Sequence, residues 1–254
     1  MTLLRAFLLL ILTALPLSAE EVVLGMSRDT ISITTSFDGS ELLIFGAVKR
    51  EAPIPQDDAL EVIITVTGPQ EPLTLRRKER KLGIWVNADA VEIDHAPSFY
   101  AINTTGPLGD VLSAVEDLRH KITIDQAIRS VGAPMTVMDS QSFTEALIRI
   151  RTANRLYQLN EGTVSLDEQT LFRTAIELPS DLTEGEYTTR IFLTRGGQVV
   201  SSYETGLDVQ KVGLEKFLYG LSRNQPLVYG LLSLAIAIFA GWGASAVFQV
   251  LRRQ

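Results

Sequence analysis

The stretch GEYTTRIFLTRGGQVVSSYETGL, residues 185–207, reads as two β-strands and a tight turn. Glu186–Thr194 pairs naturally with Val199–Leu207, and Gly196-Gly197 supplies the positive backbone angles that such a hairpin needs. The same style extends toward the N-terminus. Thr163–Leu166 and Leu171–Leu178 precede a Pro-Ser-Asp break, and Val22–Leu24, Ile31–Phe37 and Glu41–Val48 are β-rich runs split by polar turns. Ile31, Ile33 and Phe37 share one face, the period-two pattern of a half-buried strand. Leu60–Val66, Leu73–Leu75, Gly83–Val86 and Phe99–Ile102 continue the series. Short strands at near-regular spacing predict a β-sandwich, with an immunoglobulin-like arrangement one form open to it.

Between these runs, at about 106–160, the pattern turns helical. Leu108, Val111, Leu112, Val115 and Leu118 fit one helical face after Gly106-Pro107. A second helix is predicted over Ser142–Leu159, opened by the capping-box pattern Ser142-Phe143-Thr144-Glu145. Phe143, Ala146, Leu147, Ile150, Ala153 and Tyr157 would form its apolar stripe. The expected fold class is therefore mainly β, a sandwich with a central two-helix insertion, plus one C-terminal transmembrane helix.

The whole chain has 254 residues, 46% hydrophobic and 21% charged, with no cysteine and a formal charge of −7. That charge argues against nucleic acid as a partner, since phosphate binding needs clustered Lys and Arg. The missing cysteine excludes disulfides, thiolate metal sites, a cysteine nucleophile and a cysteine-linked lipid anchor. Mean hydropathy is nevertheless positive, at +0.17, and the two ends of the chain account for much of it. Arg5, the apolar run Ala6–Leu15, Pro16 and a small-residue site ending at Ala19 have the layout of a secretory signal peptide, residues 1–19. Leu17 is larger than the residue preferred three places before such a cut, which leaves an uncleaved anchor as the alternative.

At the other end, PLVYGLLSLAIAIFAGWGASAVFQVL (226–251) carries no charge. As a helix it extends roughly 39 Å, enough to cross a hydrocarbon core of about 30 Å. Arg252-Arg253 behind it favour a cytoplasmic C-terminus. The expected order is a leader (1–19), an outer β-rich domain (20–207), a juxtamembrane amphipathic segment (208–224) striped by Leu214, Phe217, Leu218 and Leu221, a membrane helix (225–251) and a short tail (252–254). Setting aside Arg5, Arg252 and Arg253 leaves 20 basic against 30 acidic residues in the outer part, a net charge of −10. Within the span Ser233, Ala237, Gly241 and Ser245 recur every four residues, with Gln249 next. Such a face lets a second helix approach closely, although small residues are also ordinary content of membrane helices.

The signal peptide, the β-rich domain, the hairpin of 185–204 and the single terminal span come together with GIWVN (83–87) and PSFYAINTTGPL (97–108). In this the chain resembles the alphaproteobacterial putative transmembrane protein family over essentially its whole length. The resemblance implies a Gram-negative host, hence a periplasmic outer domain held at the inner membrane. It also implies an accessory role beside permeases of the sulfite/anion exporter type, near which such proteins are often encoded. It brings no catalytic or binding residue with it.

The residues themselves offer little chemistry. His95 and His120 belong to no two-histidine metal motif, and Asp94-His95 is read equally well as a surface loop or as a metal donor or base. GxSxG, P-loop and GxGxxG patterns are all missing. The densest charge is RRKERK, where Arg76, Arg77, Lys78, Arg80 and Lys81 could contact anionic headgroups or an acidic partner, or could form a solvated turn. Arg151 and Arg155, four apart, could together hold a small anion or simply face solvent. Trp85, Phe99 and Tyr100 could be an exposed patch or, in a β-rich setting, sheet core. The resulting expectation is a non-enzymatic, cofactor-free scaffold or accessory protein in the bacterial inner membrane. Its partners would be the bilayer, a multi-spanning permease, or a second copy through the membrane helix. An anion-binding or sensing module is the alternative, and an enzyme of unknown class ranks third.

Overall fold

The computed structural model describes residues 20–28, 30–34, 37–50, 58–129 and 140–251. The expected signal peptide and the Arg252-Arg253 tail lie outside the described residues. Two compact units emerge. The larger holds the chain up to Ile31 and Asp38–Val209; the smaller holds Ser32–Phe37 and the chain from Gln210 onward.

Two sheets form the predicted sandwich; all their residues but Ser32–Ile33 and Gln210–Lys211 belong to the larger unit. The four-stranded sheet has the order β1 (Glu21–Met26), β3 (Ser40–Lys49), β10 (Leu171–Leu178), β9 (Ser165–Asp167). The six-stranded sheet runs β2 (Thr30–Ile33), β12 (Gln198–Lys211), β11 (Gly185–Arg195), β4 (Leu60–Thr67), β7 (Tyr100–Thr104), β8 (Tyr157–Asn160). Period-two alternation aims one face of each strand inward. Leu42, Ile44 and Val48 of β3 and Phe172, Ile176 and Leu178 of β10 are buried, as their sequence pattern requires. Across the interface, Asn103 of β7 donates from Nδ2 to Thr174 Oγ1 of β10 at 2.7 Å and to the Ala175 carbonyl at 3.2 Å. A polar side chain this deep is stabilising only because each of its groups is paired; Asn160 completes the set by donating to Asn103 Oδ1 at 2.9 Å.

Strand β4 is buried on both faces, so it reads as a continuous apolar run (LEVIITV) rather than an alternating one. The face opposite the sandwich interface is covered by a helical layer, α1 (Leu108–Val111), α2 (Ala114–His120) and α3 (Ile124–Ala127). Longer α4 (Ser140–Ala153) packs Phe143 and Leu147 inward.

This layer departs from the expected pair of long helices. The first one breaks at Leu112-Ser113, because the Ser113 amide donates to the Gly197 carbonyl at 2.8 Å instead of continuing a helical ladder. Ser113 then caps α2, and Val115 and Leu118, expected on an apolar stripe, are about two-thirds exposed. The second helix starts at Ser140, ahead of the expected capping box, and ends at Ala153. Arg155 takes a left-handed conformation (φ 57°), and Tyr157 opens β8, parallel to β7.

The β11–β12 hairpin forms as read, with Gly196 (φ 53°) and Gly197 (φ 76°) at its turn and Arg195 opposite Gln198. β12 continues to Lys211, so the segment read as juxtamembrane begins as strand before α5 (Leu214–Asn224). The smaller unit ends in α6 (Pro226–Leu251). Its first 20 residues, Pro226–Ser245, are apolar and long enough to cross a membrane, and none of this stretch is buried.

Candidate functional site

Two strands stand apart from both main sheets. Among the described residues, β5 (Gln70–Lys81) and β6 (Ile84–Pro97) form a two-stranded sheet of their own, a hairpin whose strands would extend about 40 Å at the usual rise. The RRKERK run is strand, so the solvated turn that is one of its two readings does not form there; the turn is Leu82-Gly83, with Lys81 opposite Ile84. A register shift between Arg77 and Lys78 divides the hairpin into two parts.

Below the shift it is packed. Val91 and Ile93 are buried, Arg77 is bonded to Asp89 across the pair, and its guanidinium stacks 5.2 Å from the centre of the Phe143 ring on α4. Above the shift every residue from Lys78 to Trp85 is exposed. Lys78 faces Asn87, Arg80 faces Trp85, and Lys81 pairs with Glu79 at 3.6 Å. Leu82 is fully exposed, Ile84 is 65% exposed and Trp85 68%. Trp85 is therefore separated from Phe99 and Tyr100, which are completely buried, and the three do not form one patch.

Arg151 and Arg155 take separate protein partners. Arg151 donates to the Ser98 carbonyl at 2.8 Å, whereas Arg155, past the helix end, lies 3.8 Å from Glu177 Oε2. Arg155 borders a polar cleft of about 640 Å³ that is also lined by Asp38, Glu41 and Glu177, three acidic residues that make it a poor electrostatic setting for an anion.

His95 sits exposed on β6, in strand rather than loop, its backbone bridging to Arg129. His120 closes α2, 3.3 Å from Glu116 Oε2 and edge-on to Phe192. Among the described residues no three His, Asp or Glu side chains are grouped to hold a metal ion.

A polar cluster that sequence reasoning missed lies beneath α2. Arg190 of β11 donates to the carbonyls of His120 (2.8 Å) and Lys121 (3.1 Å) and to Tyr100 Oη (3.2 Å), while Tyr100 donates to the Ile122 carbonyl at 2.8 Å. It closes the C-terminal end of α2, where unpaired carbonyls collect. Burial pushes the Tyr100 hydroxyl above its usual range, against the opposing pull of Arg190. No local signal marks the pair, which is 90 positions apart.

The outer face of the four-stranded sheet is also unusual. Val23, Phe45 and Leu171 are each about half exposed on neighbouring strands. On α6 the row Ser233, Ala237, Gly241 and Ser245 is exposed, and the Ser233 hydroxyl donates to the Tyr229 carbonyl of its own helix, 2.9 Å away. Of Gln249 only the helical backbone is described.

Residues 21–250 match the family model described as "Putative transmembrane protein (Alph_Pro_TM)". No curated protein matches the chain.

Proposed function

We propose, from the premise that the chain belongs to this putative transmembrane protein family, that it is a non-enzymatic periplasmic scaffold anchored in the inner membrane by α6. In this reading the β-sandwich is held outside the membrane and works as an accessory to a multi-spanning permease of the anion-exporter type. The observation that carries it is α6 itself, an uncharged 26-residue helix following a β-rich unit. Ser233, Ala237, Gly241, Ser245 and Gln249 are the proposed docking face. The Ser233 hydroxyl is already used on the helix backbone, so that residue contributes close approach rather than a bond to the partner. The exposed Val23, Phe45 and Leu171 supply a second apolar surface for a partner's outer loops.

Purification of the native-level protein in mild detergent should recover a permease reproducibly. A lone monomer would count against the accessory role. Orientation is tested separately: alkaline phosphatase fused near residue 210 should be active, and a silent fusion there would reverse the topology.

A further inference from the structure

The distal β5–β6 hairpin combines three features that water alone does not favour. First, Leu82 occupies the left-handed region (φ 52°) of a two-residue turn, a position where Asn, Asp or Gly is the comfortable residue. Second, that strained leucine is completely exposed, with Ile84 and Trp85 beside it. Third, basic side chains stand level with these apolar ones or further from the turn: Lys81 lies opposite Ile84, Arg80 opposite Trp85, and Lys78 further back, with Glu79 between Lys78 and Arg80 and paired with Lys81. They do so in an outer part whose net charge is −10. Basic charge therefore runs against the acidic background beside a group of exposed large apolar side chains.

We propose that this tip is a lipid-binding element that inserts into the surface of an anionic phospholipid bilayer. The order of groups along the hairpin matches the depth profile of a membrane interface. Leu82, at the turn, enters the acyl boundary, Ile84 and the Trp85 ring lie at headgroup level, where indoles concentrate, and the long side chains of Lys81, Arg80 and Lys78, beside and behind them, extend to the phosphates. A protein partner would need a deep apolar pocket ringed with acid to accept the same projecting shape. A bilayer accepts it without prior complementarity, and the same chain carries a helix long and apolar enough to cross one. The bulge at Arg77/Lys78 marks where packing on the domain ends and the free tip begins. The tip needs no permease partner to meet a bilayer.

The chain has two tryptophans, so a Trp242→Phe variant of the full-length protein leaves Trp85 as the only indole reporter. In proteoliposomes containing brominated phosphatidylglycerol, or in unbrominated ones mixed with brominated anionic vesicles, Trp85 emission should shift to the blue and be strongly quenched. Replacing Lys78, Arg80 and Lys81 together by Glu should lower that partitioning by more than the roughly fivefold that each basic residue contributes near an anionic surface. Phosphatidylcholine alone should give little quenching of the unaltered tip. Red-shifted emission that aqueous iodide quenches and bromolipid does not, in both arrangements, would overturn the proposal. So would a Trp85 shielded from iodide yet untouched by bromolipid, which would mean the tip is covered by protein. All substituted residues are exposed, and an unchanged circular dichroism spectrum confirms that the variants fold.

Discussion

Glu20 and Arg195 meet across 175 positions of sequence, Arg195 Nη2 donating to Glu20 Oε1 at 2.8 Å. Arg50 Nε donates to the same oxygen at 2.7 Å, and all three side chains are only 9–11% exposed. The carboxylate thus ties the start of β1 to the end of β3 and to the β11 turn. Burial acts to raise its pKa, but the two guanidiniums outweigh burial and hold it below the ordinary 4.5. Its contribution to stability is therefore complete above that ordinary value and is lost as pH falls through the lower, folded-state value. Glu20→Gln should cost about 2 kcal/mol at neutral pH and flatten the acid limb of stability. Urea unfolding of the full chain in detergent, at a series of pH values below 5, checks both.

An alkaline limb is expected from the buried tyrosines. Burial raises Tyr157 and Tyr187 to about 12. A raised tyrosine favours the neutral, folded form, so its contribution is intact below the usual 10 and drains away as pH climbs toward 12. Tyr157→Phe should reduce the slope in that window, and its lost bond to the Pro97 carbonyl (2.9 Å) should cost about 1 kcal/mol at neutral pH. Thermal melts between pH 9 and 12 read the change.

Asn103 joins the two sheets. Asn103→Ala leaves the Ala175 carbonyl and the Asn160 amide without this buried partner, and should destabilise by about 2–3 kcal/mol. The comparison is Asn160→Ala, at the edge of the same network, which should cost less. Denaturant midpoints of the two variants separate them.

Gly46 of β3 has no room for a methyl group. A Cβ there would lie 2.5 Å from the Phe172 ring and 2.6 Å from the Val23 carbonyl oxygen. Gly46→Ala should cost about 2 kcal/mol. Adding Phe172→Leu should recover only part, because the ring can be removed but the neighbouring strand cannot move. A double-mutant unfolding series shows whether recovery is partial.

Leu82→Asn should relieve the left-handed strain at the hairpin tip and slow amide exchange in residues 78–87 by roughly threefold, taking strain relief as a fraction of the usual left-handed penalty. The same substitution removes the deepest apolar group, so bromolipid quenching of Trp85 should weaken. A steadier hairpin that binds lipid less well is the signature of a leucine kept for binding.

Features encoded by neighbours in sequence were legible. Gly196-Gly197 dictates its own turn, β4 and β10 carry their burial in their spacing, and 26 uncharged residues make α6 a membrane candidate wherever the chain goes. The RRKERK run was visible as charge, but its meaning was hidden, because strand rather than turn is decided by pairing with residues 84–90.

The rest waited for tertiary structure because its causes are distant. A helix over 108–118 was a sound local reading until the Gly197 carbonyl claimed the Ser113 amide. Tyr157 suits a helical stripe by spacing, yet it lies in a strand because β7 offers an edge for parallel pairing. Leu43 and Phe45 look like core beside Leu42 and Ile44, and only the placement of the second sheet decides which alternate set meets water. The β-rich build and the terminal apolar helix are written in local sequence, because periodicity and turn chemistry act over a few residues. Which groups meet, from Glu20 with Arg195 to Tyr100 with Arg190, was decided by the fold, because hydrogen bonds and burial act through space without regard to chain separation.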